Sequence, residues 1–80
     1  MKKQYQKVVA AIKDIKKVRQ TGGRNQSEFW SEVGVTQSGG SRYENERDMP
    51  TPVKMLIALN FMGAITAEQL QAAKEIAEAV

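Results

Sequence analysis

Neither cysteine nor histidine occurs among the 80 residues. Their absence excludes disulfides, thiol nucleophiles, imidazole general bases, Cys/His zinc sites and most transition-metal sites. There is no glycine-rich phosphate loop. The carboxylates Glu28, Glu32, Glu44, Glu46 and Asp48 fall where helix surfaces and caps account for them, so catalysis has little support. No metal, cofactor or small-molecule ligand is expected. Long apolar runs are missing too. The most apolar stretch, Met55 to Ile65, is interrupted by Asn60 and Gly63 and is well short of the ~20 residues that span a bilayer. Lys7, Lys13, Lys16 and Lys17 break up any apolar segment after Met1-Lys2-Lys3, so a secretion signal is not expected and the chain is placed in the cytoplasm.

What is present is a modest excess of positive charge, 12 Lys and Arg against 9 Asp and Glu. Its distribution is uneven: residues 1–24 carry eight bases and one acid, for a net +7, and the remainder carries −4. A basic end attracts a polyanion, although Lys13, Lys16 and Lys17 suit a solvated helix face equally well.

The length allows one domain, residues 1–80, near the size at which a single core is marginally stable and dimerisation helps. No strand pattern, repeat or linker stands out. The expected class is all-α, a compact bundle of about five helices. Tyr5, Val8, Val9, Ile12, Ile15 and Val18 recur every three or four residues, predicting one amphipathic helix over about Gln4 to Gln20, stopped by Gly22-Gly23. Thr51 is the expected cap of a later helix with Pro52 at its first position and Gly63 as its stop. Thr66 with Gln69 forms a capping-box pattern before a final helix over about 67–79, whose stripe is Leu70, Ala73, Ile76, Ala77 and Val80. That stripe suits either the monomer core or a twofold mate.

The most informative stretch is Asn25 to Tyr43. Asn25 and Glu28 match a capping box, so a helix should start at Gln26, with Phe29, Trp30 and Val33 on its apolar face. Gly34 suits the left-handed conformation just past a helix end. Val35 is the apolar residue of the turn, and Thr36 can cap a second helix from Gln37 to Glu44 whose outward side is polar and mostly uncharged. Two short helices around such a turn, over about 26–44, outline a helix-turn-helix that presents amide and guanidinium groups to a DNA groove. Gly39 and Gly40 weaken the second helix by roughly 1 kcal/mol each relative to Ala; the alternative is that they form a loop.

In these residues the chain resembles the lambda repressor and Cro-like helix-turn-helix proteins of phages and bacteria, the xenobiotic-response-element type. The similarity covers roughly Ile15 to Leu59. It is carried by Gln26, Glu28-Phe29, Gly34-Val35-Thr36-Gln37-Ser38, Ser41-Arg42-Tyr43-Glu44-Asn45 and Met49-Pro50. The resemblance implies base contacts by Gln37, Ser38 and Arg42, with Ser41 a weaker candidate. The chemistry suits those roles, since Gln pairs with adenine and Arg with guanine through two hydrogen bonds. It implies that Gln26 meets a phosphate and braces Gln37. Asn25, Thr36, Asn45 and Arg47 are further phosphate candidates, and Arg47 could equally pair with Glu44 or Glu46. It also implies an orienting ion pair between Arg19 and Glu44.

Four positions depart from the family pattern. Trp30 stands where a small residue is usual, and Gly40 where Val or Ile fills the core; an indole filling the space that Gly40 vacates would reconcile the two, whereas an exposed Trp30 would not. Arg24 replaces an apolar residue, and Glu46 a frequent Gly. What the resemblance implies overall is a double-stranded DNA partner, a near-palindromic operator and a homodimer at least on DNA, as in a Cro-like repressor acting at the nucleoid. The rival expectation is an antitoxin-type or adaptor domain that works mainly through protein contacts, betrayed by an exposed apolar patch on the final helix.

Overall fold

The computed structural model describes residues 3–46 and 48–80. Helical periodicity from Tyr5 onward is realised as α1 (Lys3–Lys13), with Tyr5, Val8, Val9 and Ile12 half-buried and Lys7 and Lys13 outward. The helix does not run unbroken to Gln20, as the spacing predicts. Asp14 (φ −120°, ψ 46°) leaves the helical region, and α2 (Ile15–Thr21) follows in a new direction. The backbone bonds bridge the break, Asp14 N–H to Ala10 O and Val18 N–H to Asp14 O, both at 3.1 Å. The feature is therefore a kink. Asp is among the weaker helix formers because its side chain competes for backbone partners, and the kink lets α1 lie on α5 while Ile15 and Arg19 of α2 turn inward.

α3 (Gln26–Ser31) and α4 (Gln37–Glu46) pack against each other. α5 (Thr51–Phe61) follows. Its cap position is held by Pro50, which makes no side-chain capping bond, so Thr51 is the first helical residue and not the expected cap; Pro52 still lies in the first turn, where its missing N–H costs nothing. α6 (Ala67–Ala79) begins at Thr66, whose side chain accepts from Gln69 N–H at 3.0 Å while Gln69 Oε1 accepts from Thr66 N–H at 2.8 Å.

Among the described residues there are six helices and no strand, an all-α fold with one more helix than the sequence pattern predicts because of the kink. The core gathers Ile15, Trp30, Met49 and Ile57, flanked by Ile12, Phe29, Val33, Val35, Tyr43, Val53 and Phe61. α6 adds only Leu70. The rest of its stripe does not close the monomer core: Ile76 is 66% exposed, and Ala73, Ala77 and Val80 face solvent. None of the described helices is long and apolar enough to cross a membrane.

Candidate nucleic-acid interface

α3 starts where its capping box closes. Asn25 Oδ1 accepts from Glu28 N–H at 2.8 Å, and Glu28 Oε1 accepts from Asn25 N–H at 3.3 Å. The helix ends at Ser31, earlier than the apolar pattern to Val33 implies, and the chain turns through Gly34 at φ +75°. That angle favours glycine. Val35 N–H reaches back to Trp30 O at 2.9 Å and tucks Val35 beneath the pair of helices. Thr36 then caps α4, its Oγ1 accepting from Gly39 N–H at 3.1 Å. Gly39 and Gly40 both lie within α4 and are buried, so the two glycines do not form a loop.

The reason for Gly40 is Trp30. A Cβ at Gly40 would stand 2.7 Å from Trp30 Cδ2 and closer still to Cγ and Cδ1. The indole has no exposed surface. It meets Phe29 edge-on at 5.3 Å and Tyr43 at 5.8 Å between ring centroids, geometries favoured by the ring quadrupoles.

Behind this aromatic cluster lies a polar one. Glu44, buried on α4, receives Arg19 Nε at 2.8 Å and Nη2 at 3.1 Å, Trp30 Nε1 at 2.7 Å and Gln26 Nε2 at 3.2 Å. Arg19 spends its remaining arm on the Arg24 carbonyl, Nη1 to O at 2.7 Å. Among the described residues no buried side-chain nitrogen or oxygen lacks a partner, which is the condition under which a buried ion pair is tolerated. Burial alone would push the Glu44 carboxyl up, but hydrogen bonds from Arg19, Trp30 and Gln26, with the Arg19 charge, outweigh it and hold it below its ordinary value. The bond to Glu44 likewise raises Arg19, against the burial that would lower it.

On the opposite side of α4, Gln37, Ser38, Arg42 and Asn45 are exposed and Ser41 is half-buried. At 3.6 residues per turn these five positions span roughly 140° of the helix circumference. The buried Gly39, Gly40 and Glu44 and half-buried Tyr43 fill the other side. Asn45 Nδ2 donates to Ser41 Oγ at 3.5 Å, and the Arg42 guanidinium lies 5.9 Å from the Tyr43 ring centre. Gln37 Nε2 lies 3.5 Å from Gln26 Oε1, linking the starts of α3 and α4. Asn25 and Thr36 are exposed, each with its side-chain oxygen engaged in a cap. Arg47 lies outside the described residues.

Two contributors were not legible as such. Trp30 supplies a hydrogen bond to Glu44 as well as bulk, which a position normally held by a small residue gave no reason to expect. Arg24 pairs with Glu32, donates from Nη2 to Glu28 O at 3.1 Å, and lies 5.9 Å from the Phe29 ring centre. Glutamates four and eight residues beyond Arg24 were the available signal.

A family model, that of the RsaL-like HTH domain, matches residues 16–60. That is more than half of the chain, which therefore belongs to this family and is a helix-turn-helix DNA-binding domain. Neither a curated protein nor a solved structure matches the chain significantly.

Proposed function

We propose that this helix-turn-helix domain is a sequence-specific transcriptional regulator, a Cro-like repressor that binds a near-palindromic operator as a homodimer. α4 enters the major groove, and the two copies place their reading helices in successive grooves about 34 Å apart. Gln37, Ser38 and Arg42 meet base edges, with Ser41 a lesser contact, while Asn25, Gln26, Thr36 and Asn45 take phosphates. The protein works in the cytoplasm, at the nucleoid.

The observation that carries this reading is the two-sidedness of α4. Its inner side is fixed by Trp30, Gly40 and Glu44, while Gln37, Ser38 and Arg42 are exposed on the other. A fixed helix with an outward row of amide, hydroxyl and guanidinium groups suits base readout, since each good bidentate pair discriminates by about 1–3 kcal/mol. Selection of bound duplexes from a random pool at two salt concentrations tests it. The expected result is an enriched motif with twofold symmetry and affinity that falls steeply with salt. In Arg42→Ala, affinity for that motif drops by about 1–3 kcal/mol and preference relaxes at one base pair per half-site; equal losses on motif and random DNA would sink the assignment.

An adaptor domain acting through protein contacts is the second reading, favoured by the exposed Ile76 on α6 and Val80 just beyond it. It expects the random pool to return no motif.

A further inference from the structure

The hydrogen bonds around Glu44 run in one direction. An ionised carboxylate only accepts, and all four of its partners, Arg19 Nε and Nη2, Trp30 Nε1 and Gln26 Nε2, donate to it. For Arg19 and Trp30 this is no constraint, because guanidinium and indole have no acceptor to offer. For Gln26 it is one. A glutamine amide can present either its oxygen or its nitrogen, and Glu44 selects the nitrogen for the interior, which turns Gln26 Oε1 toward Gln37 at the start of α4. There it lies 3.5 Å from Gln37 Nε2. An oxygen at that place accepts and cannot donate, so Gln37 must in turn offer it an N–H. The polarity of the exposed Gln37 amide is thus set two residues away, by a charge inside the core.

We propose that Glu44 is a specificity-determining residue: acting through Gln26, it fixes the order in which the Gln37 donor and acceptor face a base edge. The inference rests on the reading of Gln37 as a base contact. With one Gln37 N–H committed to Gln26, the second N–H and Oε1 remain, an adjacent donor and acceptor matching the N7 acceptor and N6 donor of adenine. The opposite amide orientation exchanges the two positions and mismatches that edge. Glu44 is a positioning residue here, as it touches no base.

The test separates polarity from mere support of the fold. Removing Glu44 alone strands the Arg19 charge, so the informative variant is the pair Arg19→Met with Glu44→Gln, which removes both charges and leaves near Gln26 an amide able to donate or accept. Gln26→Leu is the second variant, and it leaves the bonds from Arg19 and Trp30 to Glu44 in place. Both are checked for a cooperative melt and then carried through selection from random duplexes beside wild type, Gln37→Ala and Arg42→Ala.

The expected result is a loss of about tenfold in preference at the base pair that Gln37→Ala relaxes, in both variants, with preference at the Arg42-dependent base pair kept. In the side-chain amide region of a nitrogen–proton spectrum of the free protein, the Gln37 signals move in both variants. If Gln37→Ala relaxes a base pair and a folded variant of either kind keeps wild-type preference there, the relay is overturned while the base-reading role stands. If Gln37→Ala itself changes nothing, the base-reading role fails and the inference falls with it. A paired variant that does not fold leaves the decision to Gln26→Leu, whose wild-type selectivity would suffice to reject the relay.

Discussion

α3 and α4, with Arg19 of α2, enclose a tryptophan with no exposed surface, a bidentate ion pair and two buried glycines, whereas α6, longer than either α3 or α4, buries only Leu70 and leaves Ile76 66% exposed. The turn residues Gly34, Val35 and Thr36 and the α6 residues Ala73 and Ala77 line a shared groove of about 610 Å³, so α6 stands over the helix-turn-helix without filling the space against it. The contrast separates two uses of sequence. In the first region each side chain has one permissible place, because polar partners must be satisfied and an indole fits only where Cβ is missing. In α6 a cap and a single anchor suffice, and an isolated helix of that length is only marginally stable in water.

The largest effects should therefore come from the α3–α4 unit. Trp30→Ala opens a cavity and takes one donor from Glu44, so a loss of about 3–5 kcal/mol is expected by denaturant unfolding. Glu44→Ala should cost a similar 3–5 kcal/mol or so, since it strands the buried Arg19 charge. A wild-type denaturant midpoint in either variant would erase the distinction between the two regions.

Gly40 sharpens the same point at smaller scale. In the wild-type background, Gly40→Ala drives a methyl group into the rigid indole, for an expected loss of about 1–3 kcal/mol. In a Trp30→Ala background the obstruction is gone, and the substitution should become neutral or stabilising by up to about 1 kcal/mol, the helix preference for Ala over Gly. The sign change is the quantity to measure, by a double-mutant cycle. Additive losses would mean that the glycine is needed for something other than Trp30.

Acid should act on the first region through Glu44. Glu44 titrates lower in the folded than in the unfolded chain, whose ordinary value is 4.5. Its contribution is thus fully present above that value and is lost as pH falls through the lower folded one, because the unfolded state then binds the proton more readily. Arg19, held above its ordinary value by the bond to Glu44, stays charged throughout. Unfolding of wild type and Glu44→Gln between about pH 6 and pH 3 should show the steeper fall in wild type; parallel curves would place the carboxylate outside the energetics of the fold.

How far the sequence discloses all this follows from the type of signal each part uses. Local chemistry is legible: the boxes at Asn25/Glu28 and Thr66/Gln69 and the positive φ of Gly34 need only neighbouring residues. The kink at Asp14 is not, since apolar spacing continues through it and only packing of α1 on α5 and α2 on the core reveals two directions. At the site, the outward placement of Gln37, Ser38 and Arg42 follows from helical spacing once Thr36 is taken as the cap. The reciprocity of Trp30 and Gly40 is legible as two departures that offset each other, ten residues apart. That the same indole donates to Glu44 depends on where Nε1 points, which spacing does not encode. The fate of the α6 stripe is hidden for a related reason: Leu70, Ala73, Ile76 and Ala77 form one apolar row, and nothing in the row tells which part of it meets the fold.

The smallest effect belongs to that row and is the most diagnostic of what α6 is for. Ile76→Ser replaces an exposed side chain without disturbing Leu70 or the cap at Thr66, so in the dilute monomer its stability should stay within about 0.5 kcal/mol of wild type. If copies of the chain meet through α6, as the proposed operator-bound dimer allows, the same substitution weakens association and lowers operator affinity in a concentration-dependent way while leaving base preference intact. Titration of operator at several protein concentrations separates the cases. Concentration-independent binding with unchanged affinity in Ile76→Ser would place any pairing of copies elsewhere. A loss of monomer stability well beyond 0.5 kcal/mol or so would instead show that α6 is held as firmly as the helices it overlies.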